Sequence, residues 1–232
     1  MKHYFQNYKF LRTELKILLY ISITLILIIE FIGFSYHEIF PKTNIIANIF
    51  LKICYSYVSA LIFYYLIVHY KRQDEKRKFY TVLDTKLNSL ILDHDRIYSN
   101  ISKLNNNKVI DTHNKENLKN SLKNVNPHNI YDGIMYINVG KVDWLKHLHI
   151  VAENSKNEIE KIYLQSFLLE VELIKILDNL NNNSLFQQVR LIVHASISNQ
   201  DFEAFFEAFY DYSNVIEILK EYKKKEIQKY II

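Results

Sequence analysis

The chain is poor in residues that break or bend a backbone, with three glycines and two prolines among 232 residues. That scarcity argues against tight-turn β architectures and Gly-rich phosphate loops, and favours long helices. The single cysteine, Cys54, excludes an intramolecular disulfide and a cysteine-based zinc site. A surplus of one charge is also missing: the formal net charge of +4 is too small to imply nucleic-acid binding by itself. There is no P-loop, no Gly-x-Gly-x-x-Gly and no serine nucleophile elbow, and no repeat of roughly 20–50 residues recurs. No enzyme and no cofactor is expected from these patterns.

What is present is apolar sequence, unevenly placed. The hydrophobic fraction of 49 % is ordinary for a soluble protein, so the distribution and not the amount is informative. From Ile17 to Tyr36 a short apolar lead runs into ISITLILIIEFIGFSY, with Glu30 its only charge. About 20 residues at ~1.5 Å each cover the roughly 30 Å hydrocarbon core of a bilayer. A secretory leader would be shorter and followed by small residues at a cleavage site, which are not visible here. A second stretch, Ile45 to Tyr70, contains the uncharged run ICYSYVSALIFYYLIV from Ile53 to Val68. Lys2, Lys9, Arg12 and Lys16 precede the first stretch, and Lys71, Arg72, Lys76, Arg77 and Lys78 follow the second. The connection His37 to Asn44 has only Lys42, so the basic flanks place both termini on the cytoplasmic side.

The expected architecture is therefore all-α: an N-terminal two-helix transmembrane hairpin followed by a cytoplasmic helical bundle. Its parts are a cytoplasmic segment 1–14, transmembrane helices 15–36 and 45–70, an outer loop 37–44, and a cytoplasmic helical domain 71–232. Glu30 and Lys52 sit at similar depth on antiparallel neighbours, roughly 10 Å from the outer helix ends, and are a candidate intramembrane ion pair. The alternative is that Lys52 snorkels to the outer interface while Glu30 is only partly buried. Ser56 and Ala60 form a small-xxx-small face on the second helix, with Ser22, Thr24 and Gly33 on the first, and such faces permit close helix contact.

Beyond the basic patch, Tyr80, Leu83, Leu87, Leu90, His94, Ile97, Ile101 and Leu104 make a heptad seam. It predicts one long helix running out of the second span and ending at Asn105-Asn106-Asn107. A second seam runs Ile159, Ile162, Ser166, Leu169, Leu173, Ile176, Leu180, with Ser155 and Glu158 as a capping box and Asn181-Asn182-Asn183 as its end. A third runs Phe202, Phe205, Phe209, Tyr212, Ile216, Leu219, capped by Ser198 or Asn199. Shorter helices are expected near Lys115–Val125, Val142–Glu153 and Leu185–Ser196, and a brief extended piece within Ile130–Val139. Seams of this kind pack into an antiparallel bundle or, in part, an oligomeric coiled coil. On the coiled-coil reading Leu83, Leu87, Leu90 and His94 are helix contacts.

Three constellations carry chemistry-bearing side chains. Asp93-His94-Asp95 combines imidazole and carboxylates, but helix neighbours point different ways and His94 holds a seam position that suits a register-setting polar residue. His147 and His149, beside Trp144, converge only on a strand, and their surroundings read as helix. Arg190 and His194 stand one turn apart on one helix face. That pair resembles the arginine–histidine motif of the HEPN all-helical ribonucleases, although only three residues separate the two here and Leu191 follows the arginine. The basic tail Glu221-Tyr-Lys-Lys-Lys-Glu-Ile-Gln-Lys reads as a solvated helix end.

The segment Ser59-Ala-Leu-Ile-Phe-Tyr-Tyr-Leu-Ile-Val-His69, followed by Lys71-Arg-Gln-Asp-Glu-Lys-Arg-Lys78, resembles the small two-transmembrane effectors of bacterial anti-phage systems, most closely those associated with retron reverse transcriptases. The similarity covers roughly residues 15 to 80; beyond that it is one of architecture. It implies a toxin-like inner-membrane protein, held inactive by a reverse transcriptase carrying RNA-linked DNA and released during infection. It also implies a homo-oligomer when active, because two spans are too few to enclose a pore.

Overall fold

Helix runs without a break from the second apolar stretch to Leu104, as the scarcity of glycine and proline predicts. In this computed structural model, which describes residues 8, 11–31, 43–112, 114–136, 140–195 and 199–231, the contacts divide the chain into two units, Met1–Lys78 and Phe79–Ile232. Every element of more than a single bridge is helical among the described residues, so the all-α expectation holds. The N-terminal segment and outer loop lie mostly outside the described residues, as do Gly33 and Ser198.

In the first unit, α1 (Thr13–Phe31) lies antiparallel to α2 (Thr43–Phe63), the start of one beside the end of the other. The inner stripe of α1 is Leu15, Leu19, Ser22, Ile26 and Ile29, alternating four and three residues apart, with the small Ser22 its buried member. Leu51, Cys54, Val58 and Leu61 form the matching stripe of α2. Tyr57 fixes the pair at one end, its hydroxyl donating to the Leu15 carbonyl at 3.1 Å. Large apolar side chains are exposed on the outward faces: Ile17, Ile21, Leu25 and Ile28 on α1, and Ile46, Ile49, Ile53 and Ile62 on α2. Among the described residues one helix is long and apolar enough to cross a membrane, the one that includes α2. The 19-residue α1 carries Glu14, Lys16 and Glu30. A π-helical turn, Tyr64–His69, follows α2 and tucks His69 inward against the Tyr65 ring at 5.5 Å.

The long α3 (Tyr70–Leu104) enters the second unit, where Tyr80, Leu83, Leu87, Leu90, His94, Ile97 and Ile101 are all buried, while the last seam residue, Leu104, is exposed. Asn106 and Asn107, at φ 59° and 58°, end it in the left-handed region that asparagine tolerates. The C-terminal helix α8 (Phe206–Tyr222) lies antiparallel along it: Asp84 meets Lys223, His94 meets Ser213, and Tyr98 meets Phe209. Between them in sequence come α4 (Lys115–Leu122), α5 (Trp144–Tyr163), α6 (Val171–Asn181) and α7 (Ser184–Ile192), all facing one apolar core. Leu83, Leu87, Leu90 and His94 are thus core residues of a single chain, so these positions are not the free seam of a coiled coil.

Three boundaries differ from expectation. The seam expected to be helical from Phe202, with Ser198 or Asn199 as its cap, starts as a 3₁₀ turn, Glu203–Phe205, and becomes α8 only at Phe206. The helix expected to begin at Ser155 begins at Asp143, whose carboxylate caps the Lys146 amide, and Ser155 is buried in mid-helix. The seam from Ile159 to Leu180 is broken at Leu164–Glu170 by a 3₁₀ turn, Ser166–Leu168. The break lets Ile159 and Ile162 on α5, and Leu173, Leu177 and Leu180 on α6, reach the core from separate axes. No glycine or proline marks it. After α8 a π turn, Lys223–Ile227, inserts one extra residue, which keeps both Tyr222 and Ile227 turned inward. Consequently Lys223 is not a solvated tail residue: it pairs with Asp84 at 3.1 Å and bonds the Asn88 side chain.

Candidate functional site

Each unit offers one region with chemistry to explain. In the first, Glu30 near the end of α1 accepts a hydrogen bond from the Tyr55 hydroxyl of α2. Lys52 is exposed, as is Glu30, and no ion pair between the two stands among those of the described residues. Ser56 and Ala60 are exposed as well; the α1–α2 contact uses the larger Leu51, Cys54 and Leu61. Sequence reading passed over a wider pattern here. Asn48, Lys52, Tyr55, Ser56 and Ser59 are all exposed and fall at i, i+4, i+7, i+8 and i+11, which is one helix face. The run looks uniformly apolar only because tyrosine, serine and alanine dilute its few strongly polar members.

In the second unit, a polar cleft of about 390 Å³ opens between α3 and α5, roofed by Ile134 and Tyr136. Asp93 and Arg96 of α3 face Asn154, Glu158 and Lys161 of α5 across it. Burial raises the carboxyl pKa of Asp93, and Arg96 stands 3.5 Å away. Glu158 is held from both sides, by Lys86 and by Lys161, each at 2.7 Å, and those bonds lower its pKa. Its charges alternate in sign, which suits a ligand carrying both donors and acceptors better than a plain anion. The wall behind Tyr136 is built of stacked and hydrogen-bonded rings. Its hydroxyl lies 2.6 Å from His147 Nδ1, and the His147 ring stacks on Tyr131 at 3.6 Å and 11°. Burial holds the His147 pKa down at about 4, leaving a neutral imidazole.

The remaining expected constellations are placed as follows. His94 is buried, with Nδ1 2.9 Å from Asp95 and Nε2 3.2 Å from Ser213, and burial lowers its pKa. Asp93 turns to the cleft instead, so the three neighbours do not converge. His147 and His149 diverge as helix geometry requires, His149 going to the His194 ring at 5.9 Å. Arg190 is committed to Glu153 at 2.8 Å and to the Ala152 carbonyl at 3.1 Å, and α7 ends at Ile192, before His194. The bond from Arg190 lowers the Glu153 pKa. No group of three histidine, cysteine or acidic side chains able to hold a metal occurs among the described residues.

The class defined by these features is an all-helical protein with an exposed apolar helix pair and a separately cored helical domain. Compared with protein families, curated proteins and solved structures, the chain matches none of them.

Proposed function

We propose that this chain is a membrane-anchored effector of the anti-phage, retron-associated type, which damages the bacterial inner membrane when released from inhibition. The observation that carries the membrane part is the outward apolar surface of α1 and α2, where large aliphatic and aromatic side chains such as Ile17, Ile21, Ile28, Phe31, Ile46, Ile49, Ile53 and Phe63 are exposed. Soluble monomers rarely expose such patches beyond a few hundred Å², and a bilayer covers both helices at once. On this reading the pair crosses as a hairpin. The basic residues Arg12, Lys16, Lys71, Arg72, Lys76, Arg77 and Lys78 hold both ends on the cytoplasmic side, together with Phe79–Ile232. The effector part rests on the resemblance at Ser59–Lys78; a reverse transcriptase carrying RNA-linked DNA is the proposed inhibitor, and a homo-oligomer the active form. Because the α3 seam is consumed by the core of its own chain, oligomer contacts fall to the membrane helices.

A second reading is favoured by the polar cleft: a membrane-tethered scaffold or signalling adaptor, in which the helical domain binds a soluble partner or ligand and the hairpin only localises it. One experiment separates the two. The full chain is expressed from a tight inducible promoter in bacteria while growth, membrane potential and dye entry are followed. Depolarisation with dye uptake, lost when residues 15–70 are replaced by an unrelated two-span anchor, supports the effector. An intact potential, unchanged when a cognate reverse transcriptase and phage are supplied, moves the function to the adaptor. Glu30→Gln tests the hairpin charge directly: altered toxicity with normal membrane insertion is expected, and wild-type toxicity removes Glu30 from the mechanism.

A further inference from the structure

The outward face of α2 is not uniform. Asn48, Lys52, Tyr55, Ser56 and Ser59 make one exposed stripe, and the Tyr55 hydroxyl ties Glu30 of α1 to its edge. The exposed residues flanking the stripe, Ile49, Ile53, Ile62 and Phe63, are fit for lipid. The stripe itself is not. The Asn48 amide and the Lys52 ammonium facing hydrocarbon lack acceptors there, whereas the serine hydroxyls can turn back to the carbonyl one turn earlier, and ionisable groups in spanning helices almost always face protein. The partner α1 leaves most of the stripe uncovered, since it packs on the adjoining face of α2 through Leu51, Cys54 and Leu61 and meets the stripe at Tyr55 through Glu30.

We infer that this stripe is where a second copy of the chain docks, with Glu30 of one copy paired to Lys52 of the other. The inference rests on the membrane reading above. Charge complementarity selects the occupant. Glu30 and Lys52 are opposite in sign, both exposed, and share one edge through Tyr55, which follows Lys52 by one turn. A two-fold contact is self-complementary, so each Glu30 finds the other copy's Lys52 and both pairs form together. Ser56 and Ser59 are small enough to let the two α2 helices approach closely, and Asn48 supplies an amide able both to give and to accept a bond across the contact.

The test uses the full chain in bacterial membranes. Ser56→Cys and, separately, Ile53→Cys are made in a Cys54→Ser background, and membranes are oxidised with copper phenanthroline. A covalent dimer is expected at Ser56→Cys and at least about tenfold less at Ile53→Cys. Equal or absent cross-linking at both overturns the docking face. Co-purification of differently tagged chains, with Cys54 intact, covers any loss caused by the background change. Lys52→Glu is expected to lower it at least about fivefold, and Glu30→Lys with Lys52→Glu to restore it. A double variant no better than Lys52→Glu overturns the charge pairing. Carbonate extraction is run alongside. If the chain leaves the membrane with the peripheral fraction, the membrane reading fails; if it stays and no dimer forms, the docking inference alone fails.

Discussion

His94 on α3 meets the Ser213 hydroxyl of α8 through Nε2 at 3.2 Å, across 119 residues of chain. The imidazole is nearly sealed from solvent and lies 4.4 Å from the Tyr98 ring and 5.4 Å from Tyr212. A polar residue in an apolar seam is tolerated here because both of its nitrogens are met. His94→Ala leaves a cavity and strands the serine hydroxyl, at an expected cost of about 2–4 kcal/mol. Because His94 and Ser213 share one bond, His94→Ala with Ser213→Ala is expected to cost about 1 kcal/mol less than the sum of the singles. Chemical denaturation of the detergent-solubilised chain, read by Trp144 fluorescence, measures both; strict additivity would show that the bond contributes nothing.

Leu87 separates a core from a coiled coil. It is fully buried within one chain, and so are Leu83 and Leu90 within 2 %. Leu87→Ala is expected to lower the stability of the helical domain by about 2–5 kcal/mol and to leave the oligomeric state unchanged. Size-exclusion with light scattering, run beside the denaturation curve, checks it. A variant that dissociates an oligomer without losing stability would return Leu87 to an intermolecular seam.

The heptad spacing that made α3 legible rests on alternating three and four steps, and burial follows it from Tyr80 to Ile101. The asparagine runs at 105–107 and 181–183 were equally readable, since asparagine accepts left-handed backbone and caps; Asn183 indeed accepts from the Leu185 amide. The break at Leu164–Glu170 was not readable. Phe167 and Leu164 continue an apolar, helix-compatible pattern yet are exposed, so the break is imposed by the fit of α5 and α6 onto the core and not by local propensity. The cleft was hidden for a related reason. Asp93, Arg96, Glu158 and Lys161 are ordinary surface charges until α3 and α5 face each other. Lys223 shows the same effect: a lysine run predicts a solvated end, but the π turn carries its first member inward to Asp84.

Arg190 is a clamp between helices. Its guanidinium joins α7 to Glu153 and to the Ala152 carbonyl of α5, whereas His194 lies past the helix end. Arg190→Ala is therefore expected to cost about 0.5–1.5 kcal/mol, chiefly by leaving the Ala152 carbonyl without its donor, because water screens the half-exposed Glu153. His194→Ala, at an exposed position, is expected to stay within about 0.5 kcal/mol. Measuring the integrity of total RNA after induction of each variant adds the functional arm. RNA cleavage by the wild type that disappears in the stable His194→Ala variant would establish a nuclease.

His147 sets a pH dependence. Burial between Tyr131 and Tyr136 lowers its pKa to about 4, while an unfolded chain has the ordinary value near 6.5. The unfolded state then takes up the proton first as pH falls, so acidification favours unfolding. The contribution is fully present above about pH 6.5 and is lost as pH drops towards 4, amounting to on the order of 3 kcal/mol. His94, also lowered by burial, acts in the same direction. Asp93 opposes them: its raised carboxyl pKa makes the folded state bind a proton more readily than the unfolded one, which stabilises the fold, but at lower pH. Melting temperatures of the full chain are therefore expected to fall between pH 7 and pH 5. His147→Gln, which cannot titrate, is expected to start lower at pH 7 and to lose less on acidification. An unchanged pH slope in that variant would place the proton uptake elsewhere and leave the Tyr131–His147–Tyr136 stack a purely packing feature.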